Sequence, residues 1–248
     1  MFYIIGIGLN INQITREALD AISLCKEIYI DNYTNIFSEN KMQELEYIIN
    51  KKIIPLKRSE LETEQKFIKD NSALLVIGNP FSATTHFTLL KDAKERGIKT
   101  KVIPGISIFA YKGYAGLYEY KFGRTISIVY PEANFKPTSF YKTLVDNISI
   151  GAHTMCLLDI KTDQNRFMTI QEAGNILDEI DQKEKNLLKD RYCIALCGMG
   201  GSKQEIFSFK FCNYNTIKID QFPQTLIICG DVNEVERDGI NECIQEWR

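Results

Sequence analysis

Ala73-Leu74-Leu75-Val76-Ile77 is an unbroken apolar run that stops at Gly78-Asn79-Pro80. A run this short and this apolar reads as a strand covered on both faces, as parallel sheets require. Glycine, asparagine and proline then end it. Four small residues follow, Ser82 to Thr85, and a helical pattern begins: Phe87, Leu89, Leu90 and Ala93 share one face, and Gly97 stands where a helix C-terminus belongs. Strand, tight polar loop and helix make one unit. In open α/β sheets ligands bind at the carboxyl ends of strands, and this loop's amide, hydroxyls and backbone N–H groups suit that use. An ordinary strand-to-helix turn carries the same pattern, so the stretch alone does not establish a site.

The alternation runs through the whole first half. Met1 to Gly6 reads as a strand ending in Gly6-Ile7-Gly8-Leu9-Asn10, which is not GxGxxG and so gives little support to a dinucleotide site. Thr15 caps a helix over 16–25, and Glu17 lies in its first turn. Strands follow at 27–30, 53–56 and 99–103, with an amphipathic helix marked by Met42, Leu45, Ile48 and Ile49. Ser59-Glu60-Leu61-Glu62 reads as a capping box opening another helix. Five strand–helix alternations predict a parallel, doubly wound sheet.

Residues 113–123, rich in glycine and tyrosine, break the rhythm. The tyrosines read as packing rather than a base-stacking platform, since no basic residues surround them. Two domains are expected, 1–115 and 116–248. In the second, strands are predicted at 125–130, 153–159, 192–197, 205–211 and 225–229, and helices at 137–147 and from the capping box Thr169–Glu172. The last two strands have no helix-length segment between them, so the second sheet is mixed. Asp181 to Asp190 reads as a solvated charged linker, and the segment from Asp231 to Trp247 as a polar tail.

The 248 residues carry a net charge of −2, which leaves no nucleic-acid footprint. No apolar run nears the roughly 20 residues of a spanning helix, and the N-terminus lacks the basic flank of a signal peptide. The seven cysteines, mostly within apolar runs and without a CxxC pair, read as buried thiols of a cytoplasmic protein. No metal is expected, since His86 and His153 are the sole histidines and no carboxylates cluster. The same scarcity argues against a Ser-His-Asp triad, and no lysine completes a Walker loop. What remains are neutral, glycine-rich loops at strand ends: 6–10, 78–85, 104–108, 158–161, 198–202 and 223–225. They suit a cofactor carrying its own reactive group, with the protein supplying position and desolvation.

Tyr3-Ile4-Ile5-Gly6-Ile7-Gly8-Leu9 and Gly78-Asn79-Pro80-Phe81-Ser82-Ala83-Thr84-Thr85-His86 resemble the diphthine synthase branch of the tetrapyrrole methylases, class III S-adenosylmethionine-dependent methyltransferases. So do Tyr120-Lys121-Phe122-Gly123-Arg124-Thr125, Pro137-Thr138-Ser139-Phe140-Tyr141, His153 to Lys161 and Arg166-Phe167-Met168-Thr169. The resemblance runs in order over about residues 1–230. It implies two α/β domains with the cofactor between them, and a homodimer. It also implies repeated N-methylation of a modified histidine, 3-amino-3-carboxypropyl-histidine, on translation elongation factor 2, with S-adenosylhomocysteine as by-product. By the same resemblance the cofactor contacts fall on Leu9, Asn79, Ser82, Ser107, Ile108, Leu158, Gly200 and Gln224. The family usually has aspartate where Asn79 stands, commonly histidine where Gln224 stands, and an Ala-Arg-Ala-Gly-like loop where this chain has Gly198-Met199-Gly200-Gly201. Ile103-Pro104-Gly105-Ile106-Ser107 is closer to the wider superfamily. Loss of the aspartate charge is expected to weaken cofactor binding.

The acceptor is an α-amino group with a reference pKa of about 7.7–8.0. Roughly a tenth of it is therefore neutral at pH 7, and no strong base is required. Asp159 and His86 are the candidate proton acceptors, each with a plain structural role available: a strand-end cap for Asp159, helix packing for His86. No catalytic residue is assigned. Two other readings stay open, a precorrin-type C-methyltransferase and a non-catalytic relative that binds the adenosyl ligand.

Overall fold

A computed structural model describes residues 1–33, 36–37, 41–132 and 137–246, the last five by backbone alone. Trp247 and the side chain of Cys243 lie outside the described residues. The chain folds as two units, Met1–Ala110 with Thr162–Gln164, and Tyr111–Lys161 with Asn165–Arg248.

The first unit is built on five parallel strands: β1 (Phe2–Gly6), β2 (Glu27–Asp31), β3 (Ile53–Leu56), β4 (Ser72–Val76) and β5 (Thr100–Ile103), in the order β3-β2-β4-β1-β5. The apolar run of the sequence is thus central, and every residue of β4 is buried. Alternate residues Phe2, Ile4, Leu74 and Val76 enter one core with Phe67, whose ring meets those of Phe2 and Tyr29 at 5.9 and 6.0 Å. Each large apolar side chain buried there contributes about 2 kcal/mol. Helices α1 (Arg16–Leu24), α2 (Met42–Ile49) and α3 (Phe87–Glu95) cross between strands. Thr15 caps α1, its hydroxyl accepting from the Ala18 amide at 3.1 Å. Gly97 follows α3 with φ +69°, the left-handed stop expected of it.

Two expectations for this unit need correction. Phe87 is not on the buried face of α3 but 69% exposed, its ring edge-on to Phe81 at 6.0 Å. Ser59 makes no capping bond, because its own backbone is already helical (φ −61°, ψ −37°). The Glu60 carboxylate instead accepts from the Lys57 amide at 2.7 Å, and a single π turn, Glu60–Glu64, stands where the sequence pattern predicts a longer helix.

The second unit holds β6 (Ile126–Ile128), β7 (Thr154–Leu158), β10 (Tyr192–Cys197), β11 (Glu205–Lys210) and β12 (Gln224–Ile228), in the order β11-β10-β12-β7-β6. β6 and β7 are parallel and the other pairs antiparallel, so the sheet is mixed. A short hairpin of β8 (Ile160–Lys161) and β9 (Arg166–Phe167) leaves the end of β7. Helices α4 (Ser139–Ser149), α5 (Ile170–Lys183) and α6 (Glu234–Glu246) complete the unit. The Thr169–Glu172 capping box opens α5 with both of its bonds formed.

The presumed linker after α5 is anchored. Asp181 is buried, and its carboxylate accepts from the Tyr141 hydroxyl (2.6 Å) and from the Leu187 and Leu188 amides (2.9 and 3.0 Å). The presumed polar tail is α6, and it carries a buried charge. The Glu236 carboxylate takes a hydrogen bond from His153 Nε2 at 2.9 Å, an ion pair with Lys121, and the Tyr118 and Asn233 amides. His153 Nδ1 accepts from the Gly230 amide at 3.0 Å, so the ring proton is on Nε2. Burial holds the imidazole below its usual pKa. Burial pushes Glu236 up, but Lys121, His153 and the two amides outweigh it and hold the carboxyl at about 2.

A carboxyl lowered in the folded state stabilises fully above its ordinary 4.5 and loses that contribution as pH falls toward 2. Neutral, buried His153 acts in the same direction below its ordinary 6.5. Glu236→Gln is expected to cost about 3 kcal/mol at neutral pH, because it strands Lys121 beside an uncharged group. It should also flatten the loss of stability between pH 4.5 and 2, as read by urea unfolding at a series of pH values.

Candidate functional site

In the first sheet, the chain moves from β1 leftward to β2 but from β4 rightward to β5. Right-handed crossovers then carry α1 and α3 to opposite faces. The loops after the adjacent strands β1 and β4 therefore part company above the sheet, which opens a crevice at their carboxyl ends.

Four glycines close its floor. Gly8 and Gly78 exchange backbone hydrogen bonds of 3.3 and 2.9 Å, at φ +74° and +88°. A Cβ on Gly6 would lie 2.5 Å from the Gly105 nitrogen and 2.7 Å from the Gly78 oxygen, and one on Gly105 would lie 2.3 Å from that same oxygen. The ends of β1, β4 and β5 thus meet as bare peptide. The amides of Gly105, Ile106 and Ser107 donate to no acceptor among the described residues, which suits a carboxylate or ribose oxygen.

Five of the eight expected contact residues gather here. Leu9 is buried, and its amide donates to Gln13 Oε1 at 2.8 Å. Asn79 spans two loops: its Nδ2 donates to the Gly105 carbonyl (3.2 Å), and its Oδ1 accepts from the Phe81 amide (3.0 Å). Ser82 is half-buried beyond it, with its amide on the Asn79 carbonyl (3.2 Å). Ala83 takes φ +57°, a left-handed conformation that costs a non-glycine residue about 1 kcal/mol. Ser107 accepts from the Phe109 amide at 3.3 Å, and Ile108 opens the turn Ile108–Ala115. The other three residues meet at one end of the second sheet. Leu158 ends β7, Gln224 begins β12 in register with Cys197, and Gly200 (φ +88°) follows β10. Both ends of the Gln224 amide are engaged, Oε1 by the Ile170 amide (2.8 Å) and Nε2 with the Ile219 carbonyl (3.0 Å).

The candidate proton acceptors are occupied. Asp159 accepts from the Tyr130 amide at 3.0 Å and closes the end of β7. His86 is buried, with Nδ1 at 3.1 Å from the Pro80 carbonyl. Its Nε2 lies 3.1 Å from Asp31 Oδ2 without the alignment of a hydrogen bond. Gln13 escaped the sequence reading. The Asn10 side chain, which accepts from the Asn12 amide at 2.8 Å, sets the turn that brings Gln13 back to Leu9, and an Asn-x-x-Gln spacing after the glycine loop was the available signal. Among the described residues no group of His, Cys, Asp and Glu is placed to hold a metal ion, and no helix is long and apolar enough to cross a membrane.

Two α/β units with neutral loops gathered at strand ends define an enzyme that positions a reactive small molecule rather than attacking with its own side chains. The family model for tetrapyrrole (corrin/porphyrin) methylases matches residues 1–209. A diphthine synthase of Staphylothermus marinus is 37% identical over 97% of this chain and 92% of its own. A diphthine methyl ester synthase of Schizosaccharomyces pombe is 35% identical over 84% of this chain and 81% of its own. The crystal structure of a diphthine synthase superposes with a TM-score of 0.85 at 25% identity, covering 99% of this chain and 96% of that one. The chain belongs to the tetrapyrrole methylase family, in its diphthine synthase branch, and is an S-adenosylmethionine-dependent methyltransferase.

The amide at position 79 does what a carboxylate cannot, since it donates to Gly105. Asn79→Asp is expected to lose that bond and set a charge against the carbonyl, costing about 1–2 kcal/mol of stability in thermal or urea unfolding. An unchanged or raised stability would show that the inter-loop bond contributes nothing.

Proposed function

We propose that the protein methylates the α-amino group of 3-amino-3-carboxypropyl-histidine on translation elongation factor 2, in steps that give diphthine or its methyl ester. The full-length similarity to a diphthine synthase at 37% identity carries this reading. With it come S-adenosylhomocysteine as by-product, no metal requirement, a homodimer and a cytoplasmic setting. When bound, S-adenosylmethionine supplies an electrophilic methyl group.

The chain's own residues have a modest task. Gly105, Ile106 and Ser107 offer peptide N–H groups, and Ser82 and Ser107 offer hydroxyls, for the cofactor's carboxylate or ribose. The glycine floor excludes side chains where the cofactor's backbone contacts would lie. Positive charge passes from donor to amine, so no oxyanion hole is needed and positioning supplies most of the acceleration. The engaged state of Asp159 and His86 fits a reaction whose acceptor loses its proton to water.

Mass spectrometry of elongation factor 2 carrying the unmethylated precursor is the test. Stepwise gains of one CH2 each on that histidine are expected, and the final count separates a triply methylated amine from its ester. Absence of any gain in the presence of bound cofactor would refute the reading. Ser107→Ala should weaken S-adenosylhomocysteine binding by about 1 kcal/mol in calorimetric titration, and an unaltered dissociation constant would move the cofactor away from Ser107.

A further inference from the structure

A second concavity lies within the first unit. At the carboxyl ends of β2 and β3 a cavity of about 720 Å³ is lined by Asn32, Tyr33, Lys57, Arg58, Glu62 and Asp163, among others. That volume falls in the range of small-molecule sites. β2 adjoins β4, and the sheet is parallel. The cavity therefore opens at the same end of the sheet as the glycine floor. Neighbouring strands stand about 4.8 Å apart, so the β2 side of the cavity adjoins β4, while Lys57 and Arg58, which follow β3, lie two strands over.

Its charges are arranged unevenly. Arg58 is held in place on two sides. Its guanidinium lies 5.0 Å over the Tyr33 ring, and its Nε donates to Glu62 Oε2 at 3.0 Å. That bond occupies Glu62 and uses one of the five donors of Arg58. Hydrogen bonding to Glu62 also pushes the Arg58 pKa up, so the group stays charged. The Lys57 ammonium makes no ion pair or hydrogen bond among the described residues. Thr162 donates to the Tyr33 carbonyl at 3.3 Å and so holds the segment that carries Asp163 against the cavity. A preset guanidinium fork beside an ammonium that has no partner among the described residues suits a carboxylate. Asp163 suits the ammonium form in which most of an α-amino acid arrives at neutral pH.

We propose that this cavity receives the amino-acid group of the acceptor residue, with Lys57 and Arg58 binding its carboxylate. The inference rests on the function proposed above. The amine and the carboxylate of that group share one carbon, so fixing the carboxylate also fixes the amine. The two cations act on the acceptor and touch no part of the cofactor cradle.

The test uses the full chain with two forms of elongation factor 2, one carrying the aminocarboxypropyl-histidine and one carrying unmodified histidine. Lys57→Ala and Arg58→Ala should each raise KM for the modified protein about tenfold, with kcat falling as well because the amine is no longer held in place. Arg58→Lys should recover part of the loss. S-adenosylhomocysteine affinity and the unfolding temperature should not move, which separates a binding role from a structural one. Direct binding supplies the second arm. The wild type should prefer the modified protein, and the alanine variants should lose that preference while binding the unmodified form as before. An unchanged KM, or an equal fall in affinity for both forms, overturns the proposal; the latter would make the cations a contact for acidic surface on the partner. Should the wild type transfer no methyl group to this substrate, the function proposed above fails. The binding comparison then still decides the cavity, because equal wild-type affinity for the two forms rejects it.

Discussion

The first unit depends on one close approach, the meeting of Gly6, Gly78 and Gly105 at the carboxyl ends of three adjacent strands. With a Cβ at Gly105 only 2.3 Å from a carbonyl oxygen, no other residue fits without moving a strand. Where the parallel ladder ends, the peptide groups beyond it must find other partners. Here Gly8 and Gly78 satisfy each other, while the amides of Gly105 to Ser107 have no acceptor among the described residues. The constraint that packs the loops is the one that leaves donors for a ligand.

The fold was largely legible. The unbroken run at 73–77, the Thr15 cap, the capping box at Thr169 and Glu172, and the antiparallel pairing late in the chain all arise from local chemistry that a sequence displays. The misreadings share a cause. Asp181 and Glu236 look like solvated charges because their partners, Tyr141 and the His153–Lys121 pair, are 40 or more residues away in sequence. Ser59 had the right spacing for a capping box, but a backbone already turned into the helix cannot present its hydroxyl to the amides. Of the candidate site, the glycine loops and their hydroxyls were visible. The cavity beside them was not, since Tyr33, Arg58 and Asp163 come from three segments that only the folded chain assembles.

The scarcity of acids and bases at the glycine floor is a positive feature for alkyl transfer. A general base would compete for the methyl group, and a strong field from an unpaired carboxylate would stabilise the cationic donor more than a transition state in which that charge is dispersing. Neutral hydrogen-bonding groups can orient a cationic donor without deepening its ground state. Asp31, a buried acid at the end of β2, is kept beside His86, whose ring is anchored on the Pro80 carbonyl, so the charge belongs to the framework of the loop.

Two of the departures from the family's usual residues follow from the same logic. Asn79 donates to one loop and accepts from another, and Gln224 accepts from the start of α5 while donating to the carbonyl of Ile219. Each position needs one donor and one acceptor at once. A carboxylate offers two acceptors and no donor, so at position 79 it would leave the Gly105 carbonyl without its partner. A neutral imidazole carries one of each, so histidine and glutamine can satisfy the same pair of backbone groups at position 224. An amide at position 79 thus gives up a carboxylate's charge and ties the loop after β4 to the loop after β5.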